Sequence, residues 1–116
     1  MIPTKLHGII DYLVAVILIA APFILGFADG GPAQYATIGL GVFVVAYSML
    51  TDYELGAVRL FSFPAHLVLD VVFALALIAS PWLFSFSTLI WWPHVLFGTA
   101  ALAVVALSAR SPVRLP

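Results

Sequence analysis

Apolar residues in this chain do not alternate with polar ones; they run. Four near-continuous stretches, at about residues 5–27, 33–50, 64–86 and 93–109, are separated by short polar breaks. Uninterrupted runs of this length predict helices that are hydrophobic all round. A membrane-barrel strand would need strict alternation. At about 1.5 Å per residue, a run of about eighteen residues reaches roughly the thickness of a bilayer core. The breaks carry turn and capping chemistry. Asp29-Gly30-Gly31-Pro32 parts the first two runs and puts a proline where a helix loses no useful donor. Thr4 is placed as the N-cap of the first span, Pro64 in the first turn of the third, and Trp91-Trp92-Pro93 at the start of the fourth.

The few polar residues inside these runs recur. At an offset of 59 positions, without a gap, His7 matches His66, Asp11 matches Asp70, Pro22 matches Pro81, Phe27 matches Phe86 and Gly39 matches Gly98. With only three histidines in the chain, a register that aligns His with His and Asp with Asp predicts an internal duplication. The expected organisation is a single domain, residues 1–116, of two tandem helical hairpins: repeat one at 1–57 and repeat two at 60–116. Both hairpins insert in the same direction, so the expected symmetry is a parallel pseudo-twofold along the membrane normal. The matches His7, Asp11, Ala15, Leu18 and Pro22 are spaced 4, 4, 3 and 4, which is one helical face. Spans one and three should therefore face each other, or a shared centre, through that stripe, with Ala15 and Ala74 allowing close approach.

Composition identifies the solvent. Hydrophobic residues make up 65% of the chain and charged residues 8%, against about 25% charged in an ordinary soluble domain. A domain this small could not bury so much apolar surface in water. A cleaved leader is not expected, because the Ala20-Ala21 site is followed by Pro22 and the same pattern recurs internally. A net charge of −1 offers no case for nucleic acid, and the absence of cysteine excludes disulfides and thiolate chemistry. Lys5, Arg59, Arg110 and Arg114 all fall on one side of a four-span topology. That distribution predicts cytoplasmic termini and a cytoplasmic central loop. Trp82, Trp91 and Trp92 then form a belt at the outer interface.

Asp11 and Asp70 are the costly residues. An aspartate at membrane depth costs about 2.5–3.5 kcal/mol on insertion scales, so each needs a partner or a proton. The histidine four residues earlier is the nearest candidate, with Tyr47, Ser48 and Ser108 at similar depth and Arg59 and Arg110 within reach from the interface. Four readings of His7, Asp11, His66 and Asp70 compete. They form a polar cluster that fixes helix register, a proton or ion relay, a four-ligand metal site, or, least favoured, a bis-histidine haem site. The reading adopted assigns no catalytic residue, no metal and no cofactor. Pro22 and Pro81 predict a kink or helix end, followed by interfacial segments at Phe23–Phe27 and Trp82–Phe86. Gly39, Gly41 and Gly98 are expected as packing sites, and His94 as a lone interfacial histidine that does no more than hydrogen-bond.

With those residues in place, the chain resembles the SPW-repeat family of small bacterial membrane proteins, named for a Ser-Pro-Trp in the first of two transmembrane helices per repeat. Ser80-Pro81-Trp82 matches in full, whereas the first copy reads Ala21-Pro22-Phe23 and keeps only the proline and an aromatic. The resemblance spans nearly the whole chain. It implies an integral membrane protein, placed in a bacterial inner membrane, and no established activity. The expected protein is an all-α, integral membrane four-helix bundle without enzymatic activity. It serves as a scaffold or accessory subunit that self-associates or packs with other membrane proteins; the alternative is a transport or relay role.

Overall fold

A computed structural model describes residues 1–112 of the chain. It contains four helices: α1 (Thr4–Leu25), α2 (Pro32–Met49), α3 (Phe63–Leu83) and α4 (Trp92–Leu107). Two isolated bridges aside, the described residues contain no strand. The protein is an all-α four-helix bundle. By length and composition, α1 and α3 are long and apolar enough to cross a membrane. α2 has 18 residues and α4 16. Arg114, counted above with the basic residues, lies outside the described residues.

Most of the helix boundaries follow the local chemistry. Pro32 opens α2 behind an Asx turn in which Gly31 N–H donates to Asp29 Oδ1 at 2.9 Å. Ser62 caps α3 by accepting from Ala65 N–H, with Pro64 in the first turn. Thr4 differs from expectation. The N-cap of α1 is Pro3, and the Thr4 hydroxyl instead donates to the Glu54 carboxylate of the central loop, 2.5 and 2.8 Å from its two oxygens. Thr4 is already the first helical residue, one position past the cap.

The prolines do not end their helices at the preceding residue. α1 continues past Pro22 to Leu25, and α3 past Pro81 to Leu83. Each proline carbonyl then accepts a bond from five residues on, Phe27 N–H at 2.9 Å and Phe86 N–H at 2.8 Å. This closure needs a left-handed residue between, which is Gly26 (φ 81°) in one copy and Ser85 (φ 61°) in the other. Phe23 and Trp82 face outward, but Phe27 and Phe86 turn inward and are buried. The post-proline segments are thus half anchor and half core.

α1 packs on α2, α3 on α4 and α2 on α3, while α1 approaches neither α3 nor α4 as closely. The recurring stripe therefore faces a shared centre: Ala15, Leu18, Ala74 and Leu77 join Val44, Tyr47 and Phe73 in one buried cluster. Ala15 and Ala74 do admit close approach, within the hairpins. A Cβ placed on Gly41 would lie 2.9 Å from the Ala15 carbonyl oxygen, and one on Gly98 2.8 Å from that of Ala74. A Cβ on Gly39 would meet nothing within 4 Å. Gly39 is not a packing site, and the structural counterpart of Gly98 is Gly41. The offset is 59 between α1 and α3 but 57 between α2 and α4, because Phe86 precedes Gly98 by two fewer positions than Phe27 precedes Gly41.

With that correction, the two halves make matching contacts at the helix entrances, whereas α2 packs on α3 more closely than α4 packs on α1. Ile2 bridges to Ser108 as Phe61 bridges to Thr51. Ile2 N–H donates to Leu107 O and Ala109 N–H to Ile2 O, both at 2.8 Å; Phe61 N–H donates to Leu50 O at 2.8 Å and Asp52 N–H to Phe61 O at 2.7 Å. Each helical entrance is thereby tied to the exit of the other half, and the start of α1, the exit of α4 and the central loop lie at one end of the bundle. Large apolar side chains such as Leu13, Val16, Ile24, Val68 and Leu75 remain on the outside.

Candidate functional site

At the end of the bundle where the start of α1, the exit of α4 and the central loop lie, the four expected polar residues converge. His7 and His66 are fully buried, Asp70 is buried, and Asp11 is the most accessible of the four. Their pairing differs from the helical neighbour relation. The shorter bonds cross between α1 and α3: His7 Nε2 to Asp70 Oδ2 at 2.7 Å and His66 Nε2 to Asp11 Oδ2 at 2.6 Å. The i,i+4 distances are longer, 3.1 Å for His7–Asp11 and 3.2 Å for His66–Asp70. Four atoms thus form a closed ring of alternating nitrogen and oxygen. Side chains four apart on one helix point in parallel, whereas those on facing helices meet head on, so the crosswise bond is the shorter.

The other imidazole nitrogens are held by hydroxyls from the helix exits. His7 Nδ1 lies 2.6 Å from Ser108 Oγ and His66 Nδ1 2.9 Å from Thr51 Oγ1. Each hydroxyl donates its only proton to the carbonyl four residues back, Ser108 to Val104 O at 2.5 Å and Thr51 to Tyr47 O at 2.6 Å. With that proton committed, the hydroxyl can only accept, so each imidazole must carry a proton on Nδ1. In the neutral ring, Nε2 is then a bare lone pair aimed at a carboxylate oxygen. Two acceptors 2.6–2.7 Å apart repel unless a positive charge lies between them. Two carboxylates and two Nδ1-protonated imidazoles carry a charge of −2, which two further protons neutralise.

The surroundings are aromatic. Phe63 stacks on His66 at 5.2 Å with an interplanar angle of 8°, and meets His7 edge-on at 5.2 Å. Tyr53 of the central loop lies 5.4 Å from His66 and covers the ring from the end. Burial pushes the Tyr53 phenol above its ordinary range, so this lid is neutral at physiological pH. Gly8 lets the lid seat, since a Cβ there would lie 2.6 Å from Tyr53 Cε2. Phe63, Tyr53 and Thr51 were not singled out from the sequence. Their signal was available only through the central loop, where Gly56 has no room for a Cβ beside the Thr51 carbonyl.

The two halves of the site differ at one place. Tyr47 Oη donates to Asp70 Oδ1, but at the corresponding position of α4 stands Val104, and Asp11 Oδ1 accepts no hydrogen bond among the described residues. A cavity of about 80 Å³ occupies the space, lined by Asp11, Val14, Asp70, Phe73 and Val104 among others. Ser48 is buried nearby but does not bond to the ring, and Arg59 pairs with Asp52 at 3.5 Å on the surface. Haem is not accommodated: the His7 and His66 ring centroids are 5.4 Å apart at 74°, leaving no slot for a porphyrin between them.

The repeat-motif residues lie at the opposite end. Pro22 and Pro81 are buried, Ser80 Oγ donates to Leu77 O at 2.7 Å, and Phe23 and Trp82 are exposed. His94, in the first turn of α4, is buried between Phe27 and Phe86, with Nε2 donating to Ala33 O at 3.1 Å. Between the two ends the core is apolar, built from Ala15, Leu18, Phe73, Ala74 and Leu77.

A protein-family model described as SPW repeat domain matches residues 5–109. No curated protein and no solved structure matches.

Proposed function

The chain belongs to the SPW repeat family, and from that premise we propose that it is a multi-pass protein of the cytoplasmic membrane, acting as a non-enzymatic scaffold or accessory subunit. All four helices cross, both termini and the central loop are cytoplasmic, and the His/Asp ring locks the two hairpins into one unit. The observation that carries this reading is the crosswise ring. Its two shortest bonds join α1 to α3, helices whose backbones do not pack closely, so the polar bonds do work that packing does not. The basic residues Lys5, Arg59 and Arg110 at the ring end support a cytoplasmic placement, and the tryptophans at the other end support an outer interface. The apolar outer faces of α1 and α3 then meet lipid, a second copy or another membrane protein.

A relay role has one observation in its favour, the pair of protons the ring requires. Against it stands the apolar core beyond the ring, which offers a proton no further stepping stone toward the outer end.

The two roles separate in full-length protein. Asparagine in place of both aspartates offers an N–H to each bare Nε2 and removes the charge, so D11N/D70N keeps the crosswise bonds and the fold. Alanine removes the bonds, and D11A/D70A loosens the bundle by about 3–5 kcal/mol for each histidine left without its partner. In reconstituted vesicles, the asparagine variant should show the same proton permeability as wild type. A wild-type proton flux that the asparagine variant abolishes would replace the scaffold by the relay.

A further inference from the structure

The same four side chains can be read as ligands. We propose that the ring is a binding site for a first-row divalent cation of the zinc class, with His7 Nε2, Asp11 Oδ2, His66 Nε2 and Asp70 Oδ2 as the inner ligands. The proposal rests on the ring geometry above but not on the scaffold role.

Three independent features carry it. The first is convergence: the four donor atoms all lie within 4.8 Å of one another. Bonds of about 2.0–2.1 Å to a tetrahedral ion place neighbouring ligand atoms about 3.3 Å apart. The ring edges of 2.6–3.2 Å reach that by an opening of less than about 1 Å. The cavity on the α1–α4 side, lined by both aspartates, supplies room for the shift.

The second is the tautomer. A metal-binding histidine needs a bare nitrogen toward the ion and a donated N–H on the other side. Ser108 and Thr51, their own protons committed to Val104 O and Tyr47 O, impose that state on both histidines. The Tyr47 hydroxyl fixes one carboxylate in the same way. Outer partners for three of the four ligands are thus already in place.

The third is charge. In a low-dielectric interior the ring must be neutral. One divalent ion balances two carboxylates as two protons do, so binding is an exchange in which one M²⁺ enters and two protons leave. Two imidazoles and two carboxylates suit zinc, whereas calcium and magnesium prefer six or more oxygens.

The test uses the full-length chain in detergent, stripped by a chelator and titrated with Zn²⁺, and with Co²⁺ as a spectroscopic probe. The expected result is one ion per chain, with the intense visible bands of four-coordinate Co²⁺. D11N/D70N should stay folded and lose the ion. S108A and T51A, which touch no metal, should keep the stoichiometry and weaken affinity by about 10–100-fold. Substoichiometric zinc in folded wild type overturns the proposal. Equal affinity in D11N/D70N also overturns it, as binding elsewhere. Were D11N/D70N to misfold, unchanged affinity in S108A and T51A would overturn the proposal on their own. Hairpin cohesion is read separately by unfolding without metal, so loss of the scaffold reading and loss of the metal site give different results.

Discussion

Alanine at Gly39, Gly41 and Gly98 gives three outcomes that depend on which residues of the two hairpins correspond. An ungapped register pairs Gly39 with Gly98, whereas the packing pairs Gly41 with Gly98. At Gly98 a new methyl would lie 2.8 Å from Ala74 O and 2.5 Å from Ile78 Cγ1. The isoleucine tip can turn away, but the carbonyl belongs to α3, so α4 must retreat by about 0.5 Å along much of its contact. Overpacking of this kind costs about 1–3 kcal/mol, and the helix-propensity gain of glycine to alanine returns about 1 kcal/mol. G98A should therefore lose up to about 2 kcal/mol, and G41A, with its methyl 2.9 Å from Ala15 O, slightly less. At Gly39 nothing lies within 4 Å, so G39A keeps only the gain, up to about 1 kcal/mol. Thermal unfolding of the three full-length variants in one detergent would measure this. A G39A loss equal to that of G98A would refute the two-residue shift and the packing built on it.

His7→Ala leaves the Asp70 carboxylate and the Ser108 hydroxyl without their partner and should cost about 3–5 kcal/mol in the same assay; a loss below about 1 kcal/mol would mean the ring is not the joint. Val104→Tyr places a phenol where the first half has Tyr47, fills the cavity of about 80 Å³ and reaches Asp11 Oδ1. A gain of about 1 kcal/mol is expected, and a drop in unfolding temperature would show that the α1–α4 gap does not admit the ring. Gly56→Ala would set a methyl 1.8 Å from Thr51 O, so the central loop must shift and uncover the site; faster proteolysis between α2 and α3 should report it.

Most of the fold was legible because it follows from local rules. Continuous apolar runs, prolines at Pro32 and Pro64, and the Asp29–Gly31 turn mark the helices without reference to any partner. The stripe from His7 to Pro22 likewise announced a buried face. What could not be read is what depends on how elements meet. Asp11 lies one turn from His7 in sequence yet bonds more closely to His66, because facing helices decide the matter. Ser108 could be placed at the right depth but not given its partner, and Thr51 carries no motif; the bridges Ile2–Ser108 and Phe61–Thr51 bring their hydroxyls to the histidines. The shift between α2 and α4 was hidden because Gly39 happens to align with Gly98 by identity while facing outward. The enclosure of His94 was hidden as well, because it depends on the inward turn of Phe27 and Phe86 after the prolines.

The paired bridges at the helix entrances have a further meaning. Ile2 meets Ser108 through the same two hydrogen bonds that join Phe61 to Thr51, although one pair is linked by a covalent loop and the other is not. The tie between Ile2 and Ser108 therefore holds the entrance of α1 without a connecting loop, as the tie between Phe61 and Thr51 holds that of α3. A circular permutant that joins the existing ends with a short linker and opens the central loop near Val58 should fold to the same bundle with the same ring.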